Sequence, residues 1–353
     1  MNNQLSQSEV ILGVDTHLDT HVGAIVSSCG KLLGTLAVAT DTNGYLKLLS
    51  WARSFGDLIR AGVEGTGTYG AGLACVLRDH GIDVLEVNRP DRSKRRLRGK
   101  SDPTDAENAA RAVLSGDATA ISKTHSGAAE AMRQISVVRR SAVKAKTQAM
   151  NQLRALLVSA PQDIRERLWK TKPGDCAKAC ARLRSLGDTL LLNTLTISLR
   201  ALAKRWLALA DELRELDAVL EDLTHQHASR LRAKFGIGPQ TAAILISVAG
   251  DNPERLRSEA ALAALCGVSP LEASSGKTVR HRLNRGGDRC ANNALWTITM
   301  VRMRADPRTQ AYVERRTQEG LSAKEIQRCL KRYIVRELYP LIVADLACSA
   351  GLP

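Results

Sequence analysis

Between Leu195 and Leu223 the chain places Leu195, Leu199, Leu202, Trp206, Leu209, Leu213, Leu216, Leu220 and Leu223 at alternating steps of four and three residues. Apolar side chains repeating in this way over four heptads line one stripe of a long α-helix. Such a stripe needs a partner, and that need constrains the fold more than any other feature. The segment Ala128 to Leu157 carries Met132, Ile135, Val138, Met150, Leu153 and Leu157 on a similar, less regular stripe. An antiparallel hairpin of the two helices, pairing with a second copy of the chain, and a plain core face all satisfy the periodicity.

The region before this helix reads differently. Val10 to Asp15, His21 to Ser27 and Leu32 to Thr40 are apolar runs rich in β-branched residues, the last two separated by Cys29-Gly30. They predict a three-strand meander. A helix from about Asn43 to Phe55 follows, then a strand Leu58 to Glu64, a helix Gly70 to Asp79 and a strand Ile82 to Val87. Strands alternating with helices after a meander predict a mixed sheet covered by helices. From Asp102 onward the pattern is almost wholly helical. Gly236-Ile237-Gly238, just before a helix start, resembles a helix-hairpin-helix turn and serves equally as a mere interhelix turn.

Charge narrows the partner. The 353 residues hold 51 Lys and Arg against 36 Asp and Glu, a net charge of +15, so a polyanion and by default nucleic acid is expected. Two thirds of that excess lies between Lys277 and Arg336, a concentration beyond an ordinary solvated helix face. Lys94, Arg95, Arg96 and Arg98 form a second basic run. Aromatic residues are 3% of the chain, too few for base stacking to be the main means of binding, so Arg and Lys contacts to phosphate carry the affinity. No zinc finger or defensible helix-turn-helix is evident. The opening MNNQLSQSEV lacks signal-peptide character, and no apolar run approaches the roughly 18 residues of a membrane span. Eight scattered cysteines, of which only Cys176 and Cys180 are close together, read as reduced thiols in a cytoplasm.

Four carboxylates stand out. Asp15 ends an apolar strand, where a charge is costly unless solvated or paired, and Glu64 ends another just before a run of glycines. In Ser101-Asp102-Pro103-Thr104-Asp105, Pro103 at the first helical position makes Asp102 the N-cap and puts Asp105 on the same face. Both aspartates can serve simply as helix caps. Together, however, four carboxylates at strand and helix ends of an α/β unit can converge on one pocket, and hard oxygen donors suit Mg²⁺, with Mn²⁺ as a substitute. His17, Asp19 and His21 share the face of Asp15 only if the strand continues; we read them as hairpin residues. Ser274-Ser275-Gly276 reads on its own as a turn, with no His and Asp nearby to make a hydrolase triad.

These residues resemble a known family. Gly13-Val14-Asp15, Val63-Glu64-Gly65-Thr66-Gly67-Thr68-Tyr69 and Ser101-Asp102-Pro103-Thr104-Asp105-Ala106 resemble the Asp, Glu, Asp, Asp signature of the DEDD transposases of the insertion-sequence-110 family, the bridge-RNA-guided type, which are similar to the Piv invertases. The resemblance continues through Gly236-Ile237-Gly238, Ala264-Leu265-Cys266-Gly267-Val268-Ser269-Pro270, Ser275-Gly276 and Asn284-Arg285-Gly286-Gly287-Asp288. Ser101 stands where the family usually has Thr, and Pro103 is less typical. The resemblance implies an α/β RNase H-like, RuvC-type domain at 1–124, a coiled-coil region at 125–230 and a mostly α-helical transposase domain at 231–353.

It further implies that Ser275 is the nucleophile that takes a DNA strand as a phosphoserine, with Ser274 a close neighbour. Asp15, Glu64, Asp102 and Asp105 are then the metal ligands, meeting the serine across two chains of a dimer or tetramer. A structured bridge RNA would pair with target and donor DNA while the protein grips backbone and shape. Lys277, Arg280, Arg282, Arg285 and Arg289, close after Ser275, join the 94–98 run as candidate nucleic-acid contacts. The protein is then expected in a prokaryotic cytoplasm, at the nucleoid. A junction-resolving nuclease that uses water as nucleophile and a non-catalytic nucleic-acid-binding protein are the competing readings.

Overall fold

The three apolar runs after residue 9 zip into an antiparallel meander of β1 (Glu9–Thr16), β2 (Thr20–Ser27) and β3 (Leu32–Ala39) in a computed structural model that describes residues 9–87, 101–277 and 281–349. Six consecutive residues of β1 and six of β2 are buried, because helices cover both faces of the sheet. Next comes α1 (Thr42–Arg53), capped by Asp41, whose Oδ1 accepts from the Gly44 N–H at 2.7 Å. Strand β4 (Asp57–Glu64) returns parallel to β1; α2 (Ala71–Asp79) leads to β5 (Asp83–Val87), parallel to β4. Helix α3 (Asp102–Leu114) and the short β6 (Ala120–Ile121), antiparallel to β5, complete a six-stranded sheet of order β3-β2-β1-β4-β5-β6.

Alternation along the strands decides which side each helix covers. Leu12 and Val14 face α1 and α2 in one core, while Ile11 and Val26 face Ala109, Ala110 and Val113 of α3 in another. This first compact unit ends at Ser126.

The second unit, 127–353, is mainly helical. Its frame is the pair α4 (Ala128–Val158) and α7 (Leu190–His227), with α5 (Gln162–Leu168) and α6 (Pro173–Ala181) between them in sequence. They run antiparallel. Leu153 and Leu157 share a core with Leu199 at one end, Arg139 pairs with Asp217 further along, and Met132 shares a core with Leu220 at the other end. All nine positions of the heptad stripe are buried or half-buried, so the intrachain partner meets the need set by the sequence. Val138, expected on the facing stripe, is instead 47% exposed.

The rest packs around the far end of that pair. It comprises α8 (Ser229–Arg232), α9 (Pro239–Ala249), α10 (Glu259–Leu265), the two-residue strands β7 (Leu271–Glu272) and β8 (His281–Arg282), α11 (Arg289–Ala305), α12 (Pro307–Gln318) and α13 (Ala323–Ser349). Gly236, at φ 83°, turns the chain between α8 and α9. The Gly238 N–H is taken up within the turn, donating to Thr241 Oγ1 at 3.0 Å. Buried Arg302 clamps it from below, donating to Phe235 O at 3.0 Å and to Glu337 Oε2 at 2.7 Å.

The chain after Asp102 is almost wholly helical, as expected, apart from β6, β7 and β8. Two-residue strands are too short to show a period of two. Asp102 is not the N-cap of its helix: Ser101 holds that position with extended backbone, so Asp102 is the first helical residue. Among the described residues no helix is long and apolar enough to cross a membrane.

Candidate metal centre

Gly13 of β1 lies directly opposite Gly62 of β4 in the parallel register. The pair makes a flat floor for α3. A Cβ on Gly13 would sit 2.1 Å from Ala106 O and 2.3 Å from Ala110 N, and one on Gly62 would sit 2.7 Å from Ala109 O. Small residues on both sides thus let the helix backbone rest on the sheet backbone. The consequence reaches two residues up the strand, where the first turn of α3 carries Asp102 and Asp105 to the end of β1 and its Asp15.

Asp15 is 6% exposed and Asp105 4% exposed. His17 Nε2 lies 3.2 Å from Asp15 Oδ2 and 3.4 Å from Asp102 Oδ1, and one donor atom from each of the three lies within 4.8 Å of the others. The His17 and Asp102 side chains are 46% and 47% exposed, so the cluster is walled on the Asp15 side and open on the other. Burial holds the Asp15 carboxyl above its ordinary value; His17 opposes this, and Asp105 and Asp102 reinforce it. Oδ2 of Asp15 is buried and faces His17 Nε2.

Glu64 leaves the neighbouring strand end, one residue beyond Val63, which pairs with Val14. Its carbonyl accepts from Thr16 Oγ1 at 2.8 Å, and its side chain is half-buried. Gly65, at φ 67°, turns the chain away at once. Of the four expected carboxylates, Asp15 and Asp102 come together with His17, and Asp105 lies near enough to act on Asp15. Glu64 stands at the adjacent strand end, outside the three-residue group.

His17 and Asp19 lie in the β1–β2 hairpin, as read from the sequence, whereas His21 lies in β2; what the sequence did not show is that the His17 side chain turns back to Asp15. The signal was its spacing of two from Asp15, which keeps it on the same face one step past the strand. His21 is fully buried, stacked on Tyr45 with ring centroids 5.5 Å apart, and burial holds its imidazole below the usual value. Asp19 is exposed.

Carboxylates crowded around a largely buried Asp15, with an imidazole beside them, form a donor set that a divalent cation would stabilise. The donor set therefore fits such an ion. In the second unit, Ser275 is exposed between β7 and β8, followed by Gly276 at φ 55°. Lys277, Arg282, Arg285 and Arg289 are exposed as well. Lys94, Arg95, Arg96, Arg98 and Arg280 lie outside the described residues. Cys176 and Cys180 are buried in the core beside Leu199; burial pushes the Cys180 thiol up to about 12.

An acidic cluster whose donors fit a divalent ion thus lies at the end of a mixed sheet, and a basic helical unit follows it in the chain. Two family profiles match this chain: a DEDD transposase of IS110 type over residues 12–160, and a transposase of the IS116/IS110/IS902 family over residues 228–314. The mini-circle transposase named for IS117 of Streptomyces coelicolor is 26% identical over 94% of this chain and 93% of its own length. The insertion element IS110 protein of 43.6 kDa from the same organism is 28% identical, over 42% of this chain and 38% of its own length. The insertion element IS900 protein of Mycobacterium paratuberculosis is 26% identical over 40% of this chain and 36% of its own length. The last two matches thus cover well under half of those relatives. The chain belongs to the IS110 family of transposases.

Proposed function

We propose that this transposase cuts, exchanges and rejoins DNA strands through a phosphoserine on Ser275, with Mg²⁺, or Mn²⁺ in its place, held by Asp15, Glu64, Asp102 and Asp105. The observation that carries the reading is the grouping of buried Asp15 with His17 and Asp102, one donor atom of each within 4.8 Å of the others. The first unit is then an RNase H-like, RuvC-type domain, a reading supported by its antiparallel meander continued by two parallel strands. On this account residues 1–124 carry the metal site, 125–230 form the coiled-coil frame and 231–353 carry the nucleophile.

A divalent ion, when bound, polarises the phosphate and stabilises charge on the oxygens of the displacement. The protein's own part is positional. Asp15 is fixed by its strand, and Asp102 and Asp105 by a helix seated on glycines, so little reorganisation is needed at the moment of reaction. His17 Nε2, beside both aspartates and half open to solvent, is placed to accept and release a proton. Ser275 Oγ attacks phosphorus and loses its proton, a P–O bond of the DNA breaks, and the leaving oxygen takes a proton. One phosphodiester is exchanged for another, so a second DNA end can reverse the step and reseal without ATP.

A chemical step of this kind selects no sequence. We assign that choice to a structured bridge RNA pairing with target and donor DNA, with Lys94, Arg95, Arg96, Arg98, Lys277, Arg280, Arg282, Arg285 and Arg289 gripping phosphates. The chain works as a dimer or tetramer. The test is to trap protein on labelled DNA under denaturing conditions with Mg²⁺ and the guide RNA. A covalent adduct should form with the native chain and disappear in Ser275→Ala. Nicked DNA without an adduct, in either protein, would refute the phosphoserine and favour water as the nucleophile.

A further inference from the structure

The basic face of the second unit holds three adjoining cavities. One of about 670 Å³ lies between the Gly267–Pro270 loop, β8 and the start of α13. A second, of about 520 Å³, shares Gly267, Leu283 and Asn284 with the first and reaches Trp296. The third, of about 640 Å³, lies across α13, sharing Tyr333 and Arg336 with the first and reaching Phe235. Each falls within the range of pockets that seat small ligands, about 300–1,000 Å³.

Two features of this face are unusual for the chain. The first is aromatic. With only four Trp, five Tyr and two Phe in the whole sequence, the aromatic side chains most open to solvent among the described residues are Tyr69, Phe235, Trp296 and Tyr333. The last three line these cavities.

The second is an excess of positive charge. Arg282, Arg328, Lys331 and Arg336 line the central cavity together with Glu325, which lies near Arg328; none of the four cations makes an ion pair among the described residues, and Arg336 lies over one face of the Tyr333 ring, 5.9 Å from its centroid. Lys331 is only 8% exposed. The Asn292 side-chain N–H₂ donates to Cys266 O at 3.0 Å and Gly267 O at 3.1 Å, which turns Asn292 Oδ1 toward Lys331 Nζ at 2.9 Å. An amide oxygen is thus the acceptor for a largely buried ammonium, and burial with Arg328 nearby holds its pKa below the usual lysine value. A buried cation without a carboxylate is expensive, and a phosphate supplies the missing anion.

We propose that these cavities form a groove for an unpaired nucleic-acid strand, its phosphates against Arg282, Arg328, Lys331 and Arg336 and its bases stacked on Trp296 and Tyr333. A duplex keeps its base faces stacked on one another and offers nothing to exposed rings, whereas a single strand offers one π-face per nucleotide. A protein partner is disfavoured by the charge, because the centres of protein interfaces are depleted in charged residues. The groove rests on the preceding functional reading only for the class of ligand, nucleic acid.

Binding tests it independently of cleavage. With the full chain in a chelator of divalent ions, fluorescence anisotropy is recorded for labelled oligo-dT, oligo-rU and a duplex of equal length. The native chain should bind at least one single strand. Trp296→Ala and Tyr333→Ala should each weaken that binding about 5- to 100-fold and duplex binding less than twofold. Tyr333→Phe should restore it. Arg336→Gln should lower the slope of log affinity against log salt by about 0.7. Both rings are half open to solvent, so truncation leaves the core intact, as circular dichroism will check. The dT and rU arms tell a DNA strand from an RNA strand. No single-strand binding, an unchanged affinity in the alanine variants, or equal losses on single strand and duplex would each overturn the groove. An adduct on Ser275 without single-strand binding defeats the groove alone; single-strand binding without an adduct defeats the phosphoserine alone.

Discussion

Two glycines facing each other across β1 and β4 do more for the site than any of its acidic residues, because they set how closely α3 can approach. Adding one methyl at Gly13 would drive it into the Ala106 carbonyl, a backbone atom that cannot move aside without the helix moving. Gly13→Ala should cost about 1–3 kcal/mol in urea unfolding of the first unit and abolish strand cleavage while leaving DNA binding within a few-fold. The glycine at 13 was visible in the sequence as part of Gly-Val-Asp, but its use was not, since a close helix–strand approach is a property of the packed pair. His17 shows the same limit. Its spacing from Asp15 was legible, yet the turn of its side chain back to Asp15 was not. Thiol reactivity checks burial elsewhere: the thiolate is the nucleophile, and burial pushes Cys180 and Cys266 up to about 12. At pH 8 iodoacetamide should label exposed Cys29, whose pKa lies below the usual thiol value, well before either buried thiol.

At the scale of elements, the long periodic segments carried most of their own description. Every position of the α7 stripe is buried or half-buried, though Thr196, Ala203 and Thr224 are buried outside it, and β1, β2 and β4 followed from continuous apolar runs. What stayed hidden was short or relational. The strands β6, β7 and β8 hold two residues each, and the cap of α3 falls on Ser101 because Pro103 fits the second helical position as well as the first. Within the α4–α7 pair the energetics are dominated by apolar contact. Leu199→Ala should cost about 2–5 kcal/mol, as for any fully buried leucine. Asp217→Ala, which breaks the pair with Arg139, should cost less than about 1 kcal/mol because the Asp217 side chain is 52% exposed. Urea titration of the two variants gives the comparison.

For the whole molecule, chain-wide averages proved a poor guide in one respect and a good one in another. A net charge of +15 pointed correctly to a basic surface, since Lys277, Arg282, Arg285 and Arg289 are all exposed. An aromatic content of 3%, by contrast, concealed the gathering of Phe235, Trp296 and Tyr333 on one face. If Ser275 and the acidic cluster act from different chains of an oligomer, Asp102→Asn and Ser275→Ala proteins, each inactive alone, should recover strand transfer when mixed and reassembled. No recovery would indicate that each chain supplies both groups. Beneath every functional statement lies the claim that α3, seated on Gly13 and Gly62, brings Asp102 to Asp15 to hold a divalent ion. Thermal unfolding with Mn²⁺ against chelator measures this directly. At a concentration 100-fold above the dissociation constant, the native chain should gain about 2.7 kcal/mol, a rise of several degrees, while Asp15→Asn and Asp102→Asn should gain almost nothing. An equal rise in both variants would contradict the account.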